Sequence, residues 1–317
     1  MKSSLPSVVA LDAGQSGIRA RTAPAEGTAE LPFSPVRTDR PVLPQIAAVA
    51  REASAGVPGP LVLAAGISGL TAADADPAGM LGQLGARFVG VHLAHDSTTS
   101  YLGALGTAPG AVVAAGTGVV TLGVGPAGVA RVDGWGYLMG DAGSGFWIGR
   151  RALEAVMRAH DGRGPATALT DVVRAQWPEL PEAYMALQAD PERVSRVASF
   201  AYAVAEAATS GDTVAREITE LAAAELAHSV RIALARAGVT EAPVCAALGG
   251  VFRSEALRKT FTTQLWADTP RPVRVIEPAG TSVDGAATLA TLPADHPLAT
   301  QVWSATREGM REGAAPR

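Results

Sequence analysis

Two segments of the chain place glycine and a hydroxyl residue directly after a short apolar run. One is LDAGQSG, in which Asp12 also ends the run, and the other is AAGTG, in which Thr117 lies between two glycines. Glycine lets backbone N–H groups approach an anion closely, and successive N–H groups form an anion-binding nest. A carboxylate beside a phosphate suits hydrated Mg²⁺, which prefers carboxylates and water. The pair of turns predicts a phosphate site with Asp12 near a metal ion, and a plain hairpin is the alternative for each turn alone.

A second aspartate that could do chemistry, Asp96, ends the apolar run FVGVHLAHD and precedes Ser97, where a helix could begin. A carboxylate in this position can accept a proton from a substrate hydroxyl as a general base. The alternative is that Asp96 caps the helix. The neighbouring His95 is expected to be structural, because successive side chains on a strand point to opposite faces.

The block GWGYLMGDAGSGFWIGRRAL is dense in glycine and aromatic residues and contains Asp141. An apolar ring face combined with a carboxylate suits a sugar, and Trp135 and Asp141 supply those two parts. The alternative is that Trp135, Phe146 and Trp147 are core residues and that Asp141 caps the helix near Ser144. Both interpretations stay open on composition alone.

Paired glycines, Gly249 and Gly250, lie between a predicted strand and a predicted helix in LGGVFRS. A surface without side chains could accept a flat adenine or a ribose, while the helix N-terminus faces a phosphate. An ordinary turn is the alternative. The segment GVGPAG also fits the pattern GxGxxG, but it lies between two strands instead of opening a helix, so it is not interpreted as a dinucleotide fingerprint.

The elements that must position these residues are mixed strands and helices. An apolar strand followed by a glycine turn and a second strand occurs twice, which favours two α/β domains of related construction facing each other across a cleft. Sites in such domains lie at the carboxyl ends of strands. Apolar patterning predicts buried strands at 7–14, 60–66, 88–96, 110–118 and 243–250, long helices at 193–208 and 213–237, further helices at 42–53 and 282–292, and a helical tail at 296–312.

Composition excludes several classes of protein. The 317 residues carry a net charge of −4 without a long basic run, which argues against nucleic acid as a partner. The one cysteine, Cys245, excludes a disulfide framework and an iron–sulfur cluster held within one chain. The only lysines, Lys2 and Lys259, do not lie in GxxxxGK[ST], so a P-loop is excluded. No apolar run approaches the ~20 residues of a membrane span, and no signal peptide is evident, so we expect a cytoplasmic protein without a membrane partner.

Six segments follow one another in an informative order: LDAGQSGIRAR, AHDSTTS, AAGTGVV, GWGYLMGDAGSGFWIGRRAL, ALGGVFRS and PAGTSVDGAATLA. In this order they resemble the motifs of the N-acetylglucosamine kinases in the BadF/BadG/BcrA/BcrD ATPase family, a branch of the actin–hexokinase–Hsp70 superfamily. The resemblance implies an α/β fold with two ribonuclease-H-like domains around a central cleft. The domains are expected at 1–106 and 107–295, with a C-terminal helix at 296–317 packing back on the first.

The resemblance also implies an activity and the residues that carry it. The implied reaction transfers the γ-phosphoryl group of ATP to the 6-hydroxyl of N-acetylglucosamine, in a homodimer that uses Mg²⁺. Asp96 is implied as the general base and as a sugar contact, and Asp12 as the residue that places Mg²⁺. Nucleotide contacts are implied at Gly14, Gln15, Ser16, Gly116, Thr117, Gly118, Gly249 and Gly250, and further sugar contacts at Val119, Trp135, Gly136, Tyr137 and Asp141.

The chain departs from the family pattern at three places. Gln15 and Ser16 stand where the family has more glycine and a threonine, Ala142 stands where it has glutamate, and Val119 stands where it has serine. Because the last two lie near the sugar in the family, glucosamine remains an alternative substrate. More remote alternatives are an ATP-driven dehydratase activator, which needs more than one cysteine per chain, and a sugar-sensing regulator, whose DNA-binding module is not expected before the strand at Ser7.

Overall fold

The computed structural model describes residues 6–14, 17–23, 30–37, 40–266 and 271–308. The chain divides into two compact units, of which the first takes in Met1–Ala108 and Pro278–Arg317 and the second Pro109–Glu277. Each unit has its own sheet and its own hydrophobic core.

The described residues form strands and helices that alternate irregularly along the chain. The strands are β1 (Ser7–Gly14), β2 (Gly17–Ala23), β3 (Leu31–Phe33), β4 (Leu61–Ile67), β5 (Phe88–His95), β6 (Gly110–Ala115), β7 (Val119–Gly125), β8 (Gly128–Val132), β9 (Val244–Leu248), β10 (Arg274–Ile276) and β11 (Val302–Thr306). The helices are α1 (Val42–Ala53), α2 (Pro77–Leu84), α3 (Asp96–Leu105), α4 (Gly145–His160), α5 (Leu169–Gln176), α6 (Leu180–Ala189), α7 (Arg193–Thr209), α8 (Thr213–Ala237), α9 (Glu255–Trp266) and α10 (Ser282–Leu289). Short 3-10 turns occupy Gly250–Arg253 and Pro297–Gln301.

The first unit is built on a sheet in the order β11-β5-β4-β1-β2-β3. Strands β1, β4 and β5 run parallel, and β2, β3 and β11 pair antiparallel with their neighbours. Strand β4 is buried along its whole length, which explains its uninterrupted apolar sequence. Leu11 of β1 packs with residues of α1 and α2, whereas Ala10, on the opposite face, packs against α10.

The second unit has a sheet in the order β10-β9-β6-β7-β8, with β6, β9 and β10 parallel and β7 and β8 antiparallel. In the first unit, β5-β4-β1-β2-β3 have the same order and directions as β10-β9-β6-β7-β8. The prediction that the two α/β halves have a related construction is therefore confirmed. The core of the second unit includes Ile148 of α4, Phe200 of α7, and Leu226 and Val230 of the long helix α8.

The structure corrects the sequence predictions for the last part of the chain. Residues 278–295 were predicted to lie in the second domain, but Pro278 onwards belongs to the first unit. The physical reason is that α10 buries Val283 and Ala286 against Ala10 of β1, a contact between residues far apart in sequence. Ser282 also lies 3.1 Å from Ser100 of α3, hydroxyl to hydroxyl.

The predicted C-terminal helix at 296–317 is wrong over residues 297–306. A 3-10 turn over Pro297–Gln301 leads into β11, which pairs antiparallel with β5. Trp303 and Ala305 alternate with polar residues and pack on the core of the first unit, which is the pattern of an edge strand. Residues 309–317 lie outside the described residues.

None of the helices in the described ranges combines the length and the apolar character that a bilayer-spanning helix needs.

Candidate active site

The carboxyl ends of the parallel strands in the first unit bring two aspartates to one edge of the sheet. Asp12 lies near the end of β1 and is in register with Gly66 of β4. Asp96 directly follows β5, whose last residue, His95, is in register with Ile67 of β4. The end of a parallel sheet is where α/β proteins bind their ligands, so both predicted carboxylates stand at the expected edge.

Asp96 is surrounded by hydrogen-bond donors. His95 Nδ1 lies 2.8 Å from Asp96 Oδ1, and the Ser68 hydroxyl and the Ser97 backbone N–H also bond to this carboxylate. Burial by itself would raise the pKa of Asp96, but the bonds from His95, Ser68 and Ser97 outweigh it, so the pKa lies below its usual value. Asp96 is therefore ionised at neutral pH, as a general base must be.

The structure contradicts two sequence-based interpretations of this segment, Asp96 as a helix cap and His95 as pointing away from Asp96. Asp96 is the first residue of α3 and not its cap, because the N-cap is His95, whose Nδ1 lies 3.2 Å from the Ser97 backbone nitrogen. The expectation that His95 and Asp96 point apart is wrong. Strand alternation ends at His95, so it does not govern where the Asp96 side chain points.

Asp12 has a cationic partner across the sheet. Arg19 is its register neighbour on β2 and donates a hydrogen bond from Nη2 to Asp12 Oδ2 at 2.8 Å. Burial raises the pKa of Asp12, and the negative charges of Asp96 and Glu30 add to the rise, while Arg19 opposes it. Asp12 thus lies where additional positive charge would be favourable.

The donor set at Asp12 fits Mg²⁺ held jointly with a nucleotide. Within the described residues, no three His, Cys, Asp or Glu side chains lie together as a metal cage. Mg²⁺ commonly binds through one or two carboxylates plus phosphates and waters, and a mostly buried Asp12 that is repelled by Asp96 meets that requirement. In the same turn, Gly14 pairs with Gly17 at the end of the β1–β2 hairpin, and the predicted contacts Gln15 and Ser16 lie outside the described residues.

In the second unit, the turn Gly116–Gly118 joins β6 to β7 and is anchored on α4. The carbonyl oxygens of Gly116 and Thr117 accept hydrogen bonds from the N–H groups of Gly145 (2.8 Å) and Phe146 (3.0 Å) at the start of that helix. Gly116 and Thr117 are exposed. This predicted phosphate loop is therefore accessible, and the N–H groups of Gly145 and Phe146 at the start of α4 are used to anchor it.

A cleft of about 660 Å³ lies within the second unit, with Gly116 and Thr117 among its lining residues. Gly250 also lines it, so the structure brings the predicted phosphate loop and the predicted adenosine turn to one cavity. Sequence reasoning did not single out Tyr202 and Arg253, which line the same cleft, because no local motif marks them. The volume falls within the ~300–1,000 Å³ of typical ligand sites.

Gly249 is required by the close approach of two strands. Its φ is +98°, and a Cβ at this position would lie 2.2 Å from the Ala115 carbonyl oxygen. A Cβ on Gly250 would meet nothing within 4 Å, so the second glycine borders open space. The paired glycines thus have different roles, one in packing and one in keeping the cleft surface free of side chains.

The carboxylate of Asp133 organises the loop that precedes α4. It accepts hydrogen bonds from the N–H groups of Gly134 (2.8 Å), Asp141 (2.8 Å) and Ala142 (2.9 Å). Asp133 and Asp141 both have left-handed backbones, with φ of 58° and 59°, a conformation that aspartate tolerates better than most residues. Sequence reasoning missed Asp133, although the dipeptide Asp-Gly is a turn signal.

Asp141 is 7% exposed and lies against Gly118. Its Oδ1 accepts a hydrogen bond from the Gly136 N–H at 3.2 Å, and the Val119 N–H bonds to the same carboxylate. Burial raises the pKa of Asp141, and the negative charge of Asp133 adds to the rise, against the two backbone bonds. The side chain is not the α4 cap, because Ser144 holds that position and accepts from the Trp147 N–H.

The other predicted sugar contacts lie on both sides of this loop. Trp135 is 61% exposed, so the interpretation of Trp135 as a core residue is wrong, and the Arg131 guanidinium lies 5.4 Å from its ring centroid. Tyr137 packs on Phe146, with ring centroids 4.7 Å apart, and lines a separate apolar cavity of about 380 Å³. The Val119 side chain is buried in the core of the second unit, so Val119 contributes to the loop through its backbone N–H.

Comparisons with known proteins identify relatives of this chain. An N-acetyl-D-glucosamine kinase of Dictyostelium discoideum is 48% identical over 65 residues, which are 20% of this chain and 20% of that protein. An N-acetylmuramic acid/N-acetylglucosamine kinase of Clostridium acetobutylicum is 32% identical over 142 residues, 43% of this chain and 46% of that protein. The matched regions thus span less than half the length of these curated relatives.

The likeness to a solved structure extends further along the chain. A Chromobacterium violaceum protein provisionally named an N-acetylglucosamine kinase is 27% identical, with a TM-score of 0.67 over 90% of this chain and 98% of that one. Its similarity confirms the predicted α/β fold with two sheets of the sugar-kinase type. The model of the BadF/BadG/BcrA/BcrD ATPase family matches residues 8–290. The predicted relationship is therefore confirmed, and the chain belongs to the BadF/BadG/BcrA/BcrD ATPase family.

Proposed function

We propose that this protein is an ATP-dependent hexosamine kinase that phosphorylates the 6-hydroxyl of N-acetylglucosamine. The observation that carries the proposal is the environment of Asp96, a carboxylate at the end of a parallel strand that three donors keep ionised. The names of the two curated relatives and the match to the sugar-kinase fold support the same substrate class.

In the proposed reaction, the oxygen of the sugar 6-hydroxyl attacks the γ-phosphorus of ATP and gives its proton to Asp96. The bond from the γ-phosphorus to the bridging oxygen breaks, and ADP leaves. Little covalent chemistry is required of a kinase, so positioning and charge stabilisation dominate. Asp12 is proposed to hold Mg²⁺, which when bound neutralises charge on the transferring phosphoryl group. Arg19 keeps the Asp12 carboxylate in place from the neighbouring strand.

We assign the nucleotide to the cleft in the second unit. Gly116, Thr117 and Gly118 would receive the phosphates, and Gly249 and Gly250 would border the adenosine. The aromatic side chain of Tyr202, which is 74% exposed and lines this cleft, offers a stacking surface for a base. The list of proposed nucleotide contacts is completed by Gly14, Gln15 and Ser16.

We assign the sugar to the loop that carries Asp141. The exposed ring of Trp135 supplies an apolar face, and the Asp141 carboxylate accepts hydrogen bonds from sugar hydroxyls. Gly136 donates to Asp141 and so fixes one of its oxygens. Tyr137 supports the loop by packing on Phe146.

The two remote alternatives are less well supported. The activator of a dehydratase would need thiolates for an iron–sulfur cluster, but Cys245 is fully buried in β9, and burial raises the pKa of its thiol to about 12. A sugar-sensing regulator would need a DNA-binding element, and no sequence feature indicates one. We also propose that the protein is cytoplasmic and that it forms a homodimer. Size-exclusion chromatography with light scattering would test the homodimer.

The experiment that tests the proposal is an ADP-release assay on N-acetylglucosamine, glucosamine, N-acetylmannosamine, N-acetylmuramic acid and glucose. We expect turnover with N-acetylglucosamine and a 6-phosphate product by ³¹P–¹H correlation NMR. A preference for glucosamine would change the proposed substrate but would support the proposed kinase activity. Absence of sugar-dependent ADP release with every amino sugar would contradict the proposed function.

A further inference from the structure

His95 lies at the junction of two elements. It is the last residue of β5 and the N-cap of α3, and Asp96 is the first residue of that helix. Its Nδ1 lies 2.8 Å from Asp96 Oδ1, 2.9 Å from Ser97 Oγ and 3.2 Å from the Ser97 backbone nitrogen. One ring nitrogen thus has three polar neighbours.

These three contacts require different protonation states of Nδ1. The Ser97 N–H is a donor, so a bond with it requires an unprotonated Nδ1. An ionised carboxylate only accepts, so the 2.8 Å contact with Asp96 is attractive only when Nδ1 carries a proton. The contact with Asp96 is the shorter of the two, 2.8 Å against 3.2 Å, and a hydrogen bond to a carboxylate is stronger than one between neutral groups. A proton on Nδ1 therefore makes the stronger bond at the expense of the weaker one, whereas an unprotonated Nδ1 would oppose its lone pair to Asp96 Oδ1.

A hydrogen bond from His95 to Asp96 Oδ1 fixes the orientation of the second carboxylate oxygen. The Ser68 hydroxyl and the Ser97 N–H complete a set of donors around the same group. A carboxylate that is held by fixed donors keeps one rotamer, so a proton acceptor stays aligned toward the reacting hydroxyl.

We propose that His95 is a positioning residue for phosphoryl transfer: its Nδ1–H donates to Asp96 Oδ1 and holds the other carboxylate oxygen ready to accept the proton of the sugar hydroxyl. The inference rests on the proposed role of Asp96 as general base. It adds to that role a second residue, which acts through Asp96 and not on the substrate.

Three variants separate positioning from helix capping. In His95→Asn, the amide nitrogen can occupy the place of Nδ1 and the residue is still a good N-cap. In His95→Ser, the cap is retained but the side chain is one bond too short to reach Asp96. In His95→Gln, the amide lies nearer the position of Nε2. His95→Asn and His95→Ser therefore differ mainly in whether a donor reaches Asp96 Oδ1, whereas His95→Gln also loses a favoured cap.

The test measures kcat and KM for sugar and ATP, with thermal unfolding as a check on the fold. We expect His95→Asn to keep kcat within about threefold, and His95→Ser and His95→Gln to lose about 10- to 100-fold in kcat with KM values nearly unchanged. Equal kcat for His95→Ser and the parent protein, at equal thermal stability, would show that His95 is a cap only and would overturn the inference.

The same assay distinguishes this inference from the proposed function. If the parent protein phosphorylates the sugar and Asp96→Asn does not, the base is in place, and the His95 series then decides the positioning role alone. If Asp96→Asn turns over at the parent rate, the proposed role of Asp96 fails, and the inference about His95 fails with it.

Discussion

Replacing Gly118 by alanine tests whether the position of the Asp141 carboxylate determines sugar affinity. A Cβ on Gly118 would lie 2.7 Å from Asp141 Oδ2 and 3.4 Å from its Cγ. Ordinary van der Waals contact between such atoms begins near 3.4 Å, so the Oδ2 atom must move by about 0.7 Å. Backbone strain adds nothing here, because the φ of Gly118 is not in the left-handed region.

The displacement has a cost that can be worked out from the hydrogen bonds of Asp141. Its Oδ1 is 3.2 Å from the Gly136 nitrogen, at the long end of the N–H···O range, and the Val119 N–H bonds to the same carboxylate. A displaced carboxylate would lose a hydrogen bond from a sugar hydroxyl, and loss of one hydrogen bond to a charged group costs about 1.5–3 kcal/mol. Because about 1.4 kcal/mol corresponds to a factor of ten, kcat/KM for the sugar is expected to fall about 10- to 100-fold.

The assay is steady-state ADP release with sugar and ATP varied separately. The matched variant is Gly116→Ala in the same turn, where a Cβ would meet nothing within 4 Å but would border the nucleotide cleft. We expect Gly118→Ala to raise the KM for sugar through Asp141, and also the KM for ATP because Gly118 is a proposed phosphate contact, whereas Gly116→Ala should raise the KM for ATP alone. An unchanged sugar KM in Gly118→Ala, with a raised ATP KM, would refute the assignment of Asp141 to the sugar.

Further predictions concern stability and the aromatic contact. Burial raises the folded-state pKa of Asp12, so its ionisation opposes folding above that pKa. Asp12→Asn is therefore expected to raise the melting temperature at pH 7 while abolishing turnover, and the gain should vanish as the pH falls below the unfolded value of about 3.9. Asp96 has a lowered pKa despite burial, because its donors outweigh the desolvation. Asp96→Asn is thus expected to lower the melting temperature at pH 7, with the difference lost as the pH falls through the folded pKa; a fall in both variants would contradict the Asp12 assignment, and a rise in both would contradict the Asp96 assignment. Gly249→Ala should destabilise the fold by about 2–4 kcal/mol in urea unfolding, from left-handed strain and the clash with a carbonyl, whereas Gly250→Ala should leave stability unchanged; similar values for the two would refute the packing argument. Trp135→Ala should raise the KM for sugar about tenfold without loss of stability, because the ring is largely exposed; an unchanged KM would remove Trp135 from the sugar site.

Local sequence patterns predicted the strands that carry the site. The run before Asp12 is an apolar stretch ended by a glycine turn, and the run before Thr117 repeats it, so both turns could be located from the sequence. The α4 cap at Ser144 is likewise a local signal, although the sequence alone left Asp141 as a competing cap. These features depend on residues close together along the chain.

The features that sequence reasoning missed depend on contacts between distant residues or on where one element ends. The assignment of α10 to the first unit depends on burial against Ala10, which no local pattern shows. The contact between His95 and Asp96 depends on the strand ending one residue before the aspartate. The three bonds to Asp133 depend on a left-handed turn that brings Asp141 and Ala142 back to it.

The most direct test of the central claim is a comparison of sugar binding and turnover in Asp96→Asn. Isothermal titration with N-acetylglucosamine should show an affinity close to that of the parent protein, since asparagine keeps the size of the side chain and only loses the ability to accept the proton. Turnover in the ADP-release assay should fall by about 10²- to 10⁴-fold. Near-parent turnover with unchanged sugar binding would contradict the account, because Asp96 would then be a structural residue and not the base.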